Sequence, residues 1–321
     1  MNKPLVSLIV TSYKHADYID DCIKSILAQT YFNMEILYLD DASGDGTFEK
    51  AQSYKEALEK KYEKVTYILN KKNNGVIKNL NRLVRMSRGK YVKFLAADDF
   101  MLFDGIEKLV SFMENHTEYD MAYSNGLLGT EETHFPMRSN VETQIYEAIP
   151  PSGGDLFDLL YEKDFISAPT VIIKRSIYDR VGLYDEDIGI EDWDYFLRVA
   201  KEGIIGYLAQ STMMYRIVDS SMSHSAAPSK RINMKRSELQ ILEKHKGYAS
   251  QAAERMKRSL DEALQDAYHI DDANYIAYLY AYAKRNHITI STRNRLKGIL
   301  YRLGIIRWIE QKSCHTSMGI R

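Results

Sequence analysis

Cysteine is nearly absent from this chain. Cys22 and Cys314 are the only two in 321 residues, which excludes a disulfide framework and a cysteine-ligated zinc site and suits a reducing cytosol. Neither sign of charge is in excess: 43 Lys and Arg against 44 Asp and Glu leave a net charge of −1. No whole-molecule field attracts nucleic acid, and no nucleic-acid partner is expected. Long apolar runs are missing as well. The N-terminal stretch "PLVSLIV" stops before Thr11, too short for a secretory leader, and no window approaches the roughly 18 apolar residues of a membrane span. The sequence therefore predicts a cytoplasmic protein. Glycine-rich phosphate loops are lacking too. "TSYKHA" stands where a dinucleotide fold needs GxGxxG, and no GxxxxGK[ST] occurs. What is present is an ordinary globular composition, 45% apolar, enough for a full core.

The first half alternates strand and helix patterns. "LVSLIVTSY" is short, apolar and β-branched, as a buried strand is. Ile19, Cys22, Ile23, Ile26 and Leu27 then repeat at helical spacing, with Asp17 available to cap the helix. "MEILYLD" predicts a second strand, "ASGDGT" a turn, and a charged helix follows to about Tyr62. "VTYIL" predicts a third strand, residues 76–87 a helix and "KYVKFLA" a fourth strand. Strands separated by helices of this length predict an α/β fold, a parallel sheet covered on both faces. Residues 126–152 read as loop, and "APTVIIKR" as a later strand. Beyond about residue 226 only helical patterns continue. The expected organisation is an α/β domain over 1–225, which the resemblance described below makes the catalytic one, and a helical region over 226–321.

Three polar clusters end the predicted strands: Thr11, Ser12 and Tyr13; Asp40 and Asp41; Asp98 and Asp99. Ligands of open α/β sheets bind beyond the carboxyl ends of the strands. One such cluster is explained by a turn; three converging on one edge favour a site. Tyr13 offers an aromatic face to a base, Asp41 an acceptor for the imide N–H of a uracil-like ring, and Asp99 an oxygen ligand for a divalent cation bridging phosphates. Structural readings stand beside these. Asp98 and Asp99 can cap a helix starting near Phe103, and "EDWD" can be an acidic first helical turn.

The ordered set "PLVSLIVTSYKHADYIDDCIKSILAQTY" (4–31), "DDASGDGT" (40–47), "NNGVIKNLNRLV" (73–84), "KYVKFLAADD" (90–99) and "EDWDYFLRVAKEG" (191–203) resembles the family 2 glycosyltransferases. That resemblance implies the GT-A fold, a mixed sheet flanked by helices. It implies inverting transfer from a nucleotide-diphosphate sugar, UDP-sugars favoured, to a hydroxyl of a glycan or lipid-linked acceptor. The setting it implies is bacterial surface polysaccharide synthesis. It also implies a divalent metal, Mn2+ or Mg2+, with Asp99 as its ligand. Thr11, Ser12, Tyr13, Asp41, Lys78 and Asp98 would bind the nucleotide sugar, with Arg82 an alternative to Lys78. Asp192 would be the base, with Glu191 its competitor. Two departures bear on the metal. Ala96 stands where many members carry an acidic residue, and Val218 where many carry histidine; His224 is the substitute the sequence offers. The competing classes are a nucleotide-sugar-binding protein without catalysis and a sugar-phosphate nucleotidyltransferase. The latter needs a basic, Gly-rich N-terminal loop that "TSYKHADY" does not supply.

The C-terminal run has apolar residues at 296, 299, 300, 303, 306 and 309, a helical stripe, and residues 291–321 hold seven Lys or Arg against Glu310 alone. The stripe either packs inward on the rest of the protein or lies on an anionic membrane surface.

Overall fold

The computed structural model describes residues 3–130, 132–135, 144–146, 156–218 and 228–303. The chain divides into two compact units: Met1–Asp187 with Glu191–His224, and Ile188–Ile190 with Ser225–Arg321.

The first unit is built on one nine-stranded sheet. Strands β1 (Val6–Ser12), β2 (Met34–Asp40), β3 (Lys64–Leu69) and β4 (Tyr91–Ala96) lie side by side in the order β3-β2-β1-β4, all parallel. Helices α1 (Ile19–Leu27), α2 (Thr47–Ser53), α3 (Lys55–Lys61) and α4 (Val76–Met86) lie in the connections. β1 and β2 are largely apolar because both faces of the sheet are covered there; all seven residues of β2 are buried, Glu35 among them, where it accepts from the Ser7 hydroxyl at 2.6 Å. β3, at the edge, is half-exposed along most of its length.

The chain then continues through β5 (Phe100–Met101), α5 (Gly105–Asn115), β6 (Met121–Gly129), β7 (Gln144–Tyr146), α6 (Leu156–Glu162), β8 (Ile172–Lys174), α7 (Ile177–Val181), α8 (Glu191–Glu202) and β9 (Ile205–Arg216). Beyond β4 the order is β8-β6-β9-β5, and β8 runs antiparallel to both β4 and β6, so the sheet is mixed. Lys93 of β4 is buried; its ammonium donates to the carbonyls of Pro169 and, at 3.1 Å, Phe94. Burial pulls its pKa down to about 7. This lysine ties β4 to the turn at Ala168–Thr170 that edges the site.

Several local expectations are corrected. Residues 126–152 are not all loop: β6 extends to Gly129, and β7 pairs with it. Their strand character comes from long-range pairing, β6 with β9, which no local pattern announces. The helix expected from Thr47 to Tyr62 breaks at Tyr54, whose hydroxyl donates to Asp20 at 2.9 Å. α1 is capped by Tyr18 with no side-chain bond, not by Asp17; the carbonyl of His15 takes its first N–H groups. The helix after "FLAADDF" begins at Gly105 with Asp104 at its N-cap, so Asp98 and Asp99 are not its caps.

Among the described residues the second unit contains four long helices: α9 (Pro228–His245), α10 (Ala252–His269), α11 (Ala273–Arg285) and α12 (Thr292–Arg302). α10 packs against the other three. Asp272 caps α11 by accepting from the N–H of Tyr275. Arg285 holds Glu243 through two bonds of 2.7 and 2.8 Å.

Candidate active site

The parallel register brings the strand ends level: Ser12 lies opposite Asp40, and Thr11 opposite Ala96. Asp40 is the hub that fixes them. Its carboxylate accepts from the hydroxyl of Ser12 (2.8 Å) and from the N–H (2.8 Å) and hydroxyl (2.6 Å) of Ser43. Ser12 also meets the Tyr38 hydroxyl at 2.7 Å and is buried. Its hydroxyl thus faces inward and builds the edge rather than facing a ligand. Just past the two strands, Lys14 (φ 61°) and Ala42 (φ 62°) adopt left-handed backbone. Such conformations persist only where surrounding bonds hold them; here the N–H of Lys14 donates to Ser43 at 2.8 Å. Tyr13 is 41% exposed, with the Lys14 ammonium 5.4 Å from its ring centre.

Asp41 organises the next wall. Its carboxylate accepts from Asn70 Nδ2 (2.8 Å) and the N–H groups of Asn74 (2.9 Å) and Gly75 (2.9 Å). Gly75 has φ 85°, which favours glycine at this turn into α4. Burial pushes the Asp41 carboxyl up, but the bonds from Asn70, Asn74, Asn79 and Gly75 outweigh it and hold it below the usual aspartate range. Arg82 donates to Asn70 Oδ1 at 3.1 Å, so Arg82 joins the Asp41 network. Lys78 is exposed, and no bond ties it to that network among the described residues.

Asp98 and Asp99 follow β4. Asp99 is buried, and its Oδ1 accepts the backbone N–H of Arg216 at 2.8 Å. Burial, then the charge of Asp98, pushes its carboxyl well above the ordinary range. Asp98 is the more open of the two, and Nδ1 of His15 lies 3.9 Å from its Oδ1. That His15 nitrogen is buried without a hydrogen-bond partner among the described residues. Among the described residues no group of three or more His, Cys, Asp or Glu is arranged to hold a metal ion. Two adjacent, mutually repelling carboxylates beside an unpartnered imidazole nitrogen nevertheless fit a small cation whose other ligands are phosphate oxygens and water. Val218, where histidine was weighed, is buried; His224 lies outside the described residues.

The fourth wall is the start of α8. A cleft of about 130 Å³ runs from Thr11 and Ala96 past Leu80 and Pro169 to Glu191 and Asp192. Two contacts fix α8 there: Trp193 Nε1 donates to the Leu160 carbonyl at 2.7 Å, and Arg198 Nη1 donates to the Val181 carbonyl at 2.6 Å. The loop entering α8 is held from α4. Asn81 donates to the Tyr184 carbonyl and accepts its N–H, both at 2.9 Å. One oxygen of Asp192 accepts the N–H of Trp193 at 2.8 Å. Burial raises the Asp192 pKa; burial and then the charge of Asp192 push Glu191 up to about 8. Asp164 is the third member. Burial, then Asp192, then Glu191 raises it well above the ordinary range, and its Oδ1 has no hydrogen-bond partner among the described residues. Three half-buried carboxylates crowd the start of α8, and the burial that raises Asp192 makes it a stronger base when ionised.

A family model, "Glycosyl transferase family 2", matches residues 7–182. The chain belongs to that family. An uncharacterised glycosyltransferase of Haemophilus influenzae is 29% identical over 67% of this chain and 66% of its own length. A Bacillus subtilis protein, provisionally named as the teichuronic acid biosynthesis glycosyltransferase TuaG, is 29% identical over 69% of this chain and 82% of its own. Among solved structures, S. aureus TarS 1-349 in complex with UDP-GlcNAc superposes with a TM-score of 0.60 at 16% identity, over 93% of this chain and 92% of that one. The Pyrobaculum calidifontis mannosyltransferase PcManGT with GDP-Man and Mn2+ gives 0.59 at 16% identity, over 97% and 87%. The architecture of this family 2 member is the GT-A fold. The matched segment ends at residue 182, so Asp192 lies outside it.

Sequence reasoning missed four contributors to this family 2 site. Asn70, Asn79 and Asn81 carried a weak signal, since asparagines on the buried side of an amphipathic helix and the loop before it need partners. Asp164, in "YEKDFIS", carried none.

Proposed function

We propose that this chain is an inverting, divalent-cation-dependent glycosyltransferase that moves a sugar from a nucleoside-diphosphate sugar to an acceptor hydroxyl. The observation that carries the reading is a single cleft that runs from Thr11 and Ala96, at the ends of β1 and β4, to Glu191 and Asp192 at the start of α8. UDP-sugars are the favoured donors, since Asp41 can accept from a uracil imide; TarS, with UDP-GlcNAc, supports this. The acceptor is a hydroxyl of a surface polysaccharide or a lipid-linked glycan at the cytoplasmic side, in keeping with the provisional role of the TuaG relative.

In this reading Asp41 and Tyr13 receive the base, and Thr11 lines the path from base to sugar. Asp99, the expected ligand, would hold the cation together with the more open Asp98, which the resemblance gave to the nucleotide sugar. When bound, that cation offsets the charge growing on the leaving diphosphate. The free oxygen of Asp192 takes the proton of the acceptor hydroxyl as its oxygen attacks the anomeric carbon. The bond to the diphosphate breaks as the new bond forms on the opposite face, so configuration inverts and no enzyme nucleophile is needed. Glu191, protonated near neutral pH, keeps its charge off the neighbourhood, and burial raises the basicity of Asp192.

Calorimetry against a panel of nucleotide sugars, with Mn2+ or with chelator, tests the donor and cation. Proton NMR of the sugar released from an α-linked donor into water tests the stereochemistry. The β anomer appears first if the reading holds; the α anomer first rejects inversion. Donor binding with no product release on any donor leaves a nucleotide-sugar-binding protein instead.

A further inference from the structure

Helix α12 is packed inside out. Its buried face is small and polar: Asn294 and Gly298. Asn294 donates to the Asp261 carbonyl (3.0 Å) and carboxylate (2.8 Å). A Cβ at Gly298 would clash with the Tyr280 hydroxyl and sit 2.7 Å from that of Tyr268. Ser291 caps the helix by accepting from the N–H of Asn294. The opposite face carries Leu296 (57% exposed), Ile299 (55%) and Leu303, just past the helix (67%). At about 100° per residue these three fall within about 60° of arc, and Asn294 and Gly298 lie across the helix from them. A helix that simply completes a core turns the other way. Of the two readings of the stripe, inward packing does not hold for Leu296, Ile299 and Leu303; Leu300 is half-buried, and Ile306 and Ile309 lie outside the described residues.

The same geometry puts Arg295 and Arg302 on one flank of the apolar stripe and Arg293 and Lys297 on the other; α12 has no acidic residue. We propose that this face docks on an anionic lipid surface, the aliphatic side chains entering the headgroup boundary and the flanking cations meeting lipid phosphates. Charge decides between the candidate occupants. A second copy would bring two such basic flanks together. The segment 304–321, folded over the stripe, would add Arg307, Lys312 and Arg321 to the same positive region against Glu310 alone. An anionic surface is the complement, and Trp308 suits a lipid interface. No helix among the described residues is long and apolar enough to cross a membrane, so the attachment is peripheral. The proposal goes beyond the transfer reaction and does not depend on it.

Full-length protein is mixed with vesicles of phosphatidylcholine alone or with one-third phosphatidylglycerol, and sedimented. Binding is expected to the anionic vesicles only, and high salt should release it, because screening shortens the reach of charge to about 3 Å at 1 M. Each of Arg293→Gln, Arg295→Gln and Arg302→Gln should weaken partitioning about fivefold. The triple variant L296S/I299S/L303S should lose binding while keeping its melting temperature and its donor affinity, since these side chains already face water. Absence of binding at low salt by folded full-length protein overturns the proposal, as does unchanged binding by the triple serine variant. A dimer in sedimentation velocity that the serine variant dissolves, with no vesicle binding, assigns the face to a second copy instead.

Discussion

The backbone N–H of Arg216 donates to Oδ1 of Asp99 at 2.8 Å, joining the end of β9 to the acidic pair after β4. The Arg216 side chain makes a second link. Its Nη2 donates at 2.8 Å to both Asp21 Oδ2 and the Thr133 carbonyl, while Nε and Nη1 have no hydrogen-bond partner among the described residues. The guanidinium lies 4.8 Å from the Tyr18 ring centre and 5.5 Å from that of Phe100. One buried residue thus ties α1, β5 and β9 behind the proposed cation site.

Removing the partner of a buried cation leaves its charge uncompensated. Asp21→Ala should cost about 3–5 kcal/mol of stability, read from urea denaturation. Asp21→Asn, which still accepts a hydrogen bond, should cost less. A loss under about 1 kcal/mol for the alanine variant would mean that Thr133 and the two rings suffice.

The roles of the strand-end carboxylates separate in calorimetry with a nucleoside diphosphate. Asp41→Ala releases the Asn70–Gly75 turn and should weaken binding about tenfold or more, with Mn2+ or with chelator alike. Asp98→Asn should lose only the gain that Mn2+ confers. Asp99→Ala should lose that gain and also destabilise the fold by about 1–3 kcal/mol, because it leaves the Arg216 N–H unpaired. Identical behaviour of the Asp41 and Asp98 variants under both conditions would reject the division.

Much of this was legible in the sequence because it rests on local pattern. β1, β2 and β4 are buried on both faces, so their apolar runs and polar ends mark strand and edge together. The level of Thr11, Asp40 and Asp98 followed from that. β6, β7 and the break at Tyr54 were not legible, since each is set by a distant partner: β9, β6 and Asp20. Inward-facing Ser12 shows the same limit. A strand-end serine reads alike whether it meets a ligand or, as here, Asp40 and Tyr38. Asp164 became visible only when α6 packed on α8 and brought it to Asp192.

The carboxylate cluster predicts a pH effect. Glu191 titrates near 8 in the folded protein against an ordinary value of 4.5. Between those values the native state holds a proton that the unfolded chain has released, so stability falls as pH rises across that window. Glu191→Gln should remove that slope from melting temperature against pH. It should also keep turnover near wild type at pH 7, where Glu191 is already neutral. A collapse of turnover in this variant would make Glu191 the base.

Asp192→Asn tests the central claim most directly. The amide keeps the shape and accepts the Trp193 N–H through its oxygen, but it cannot take a proton. With whichever donor binds, nucleoside diphosphate release in single turnover should fall about 10²–10⁴-fold, while the calorimetric donor affinity stays within a few-fold of wild type. Release at the wild-type rate under the same conditions would contradict the assignment of Asp192 as the base.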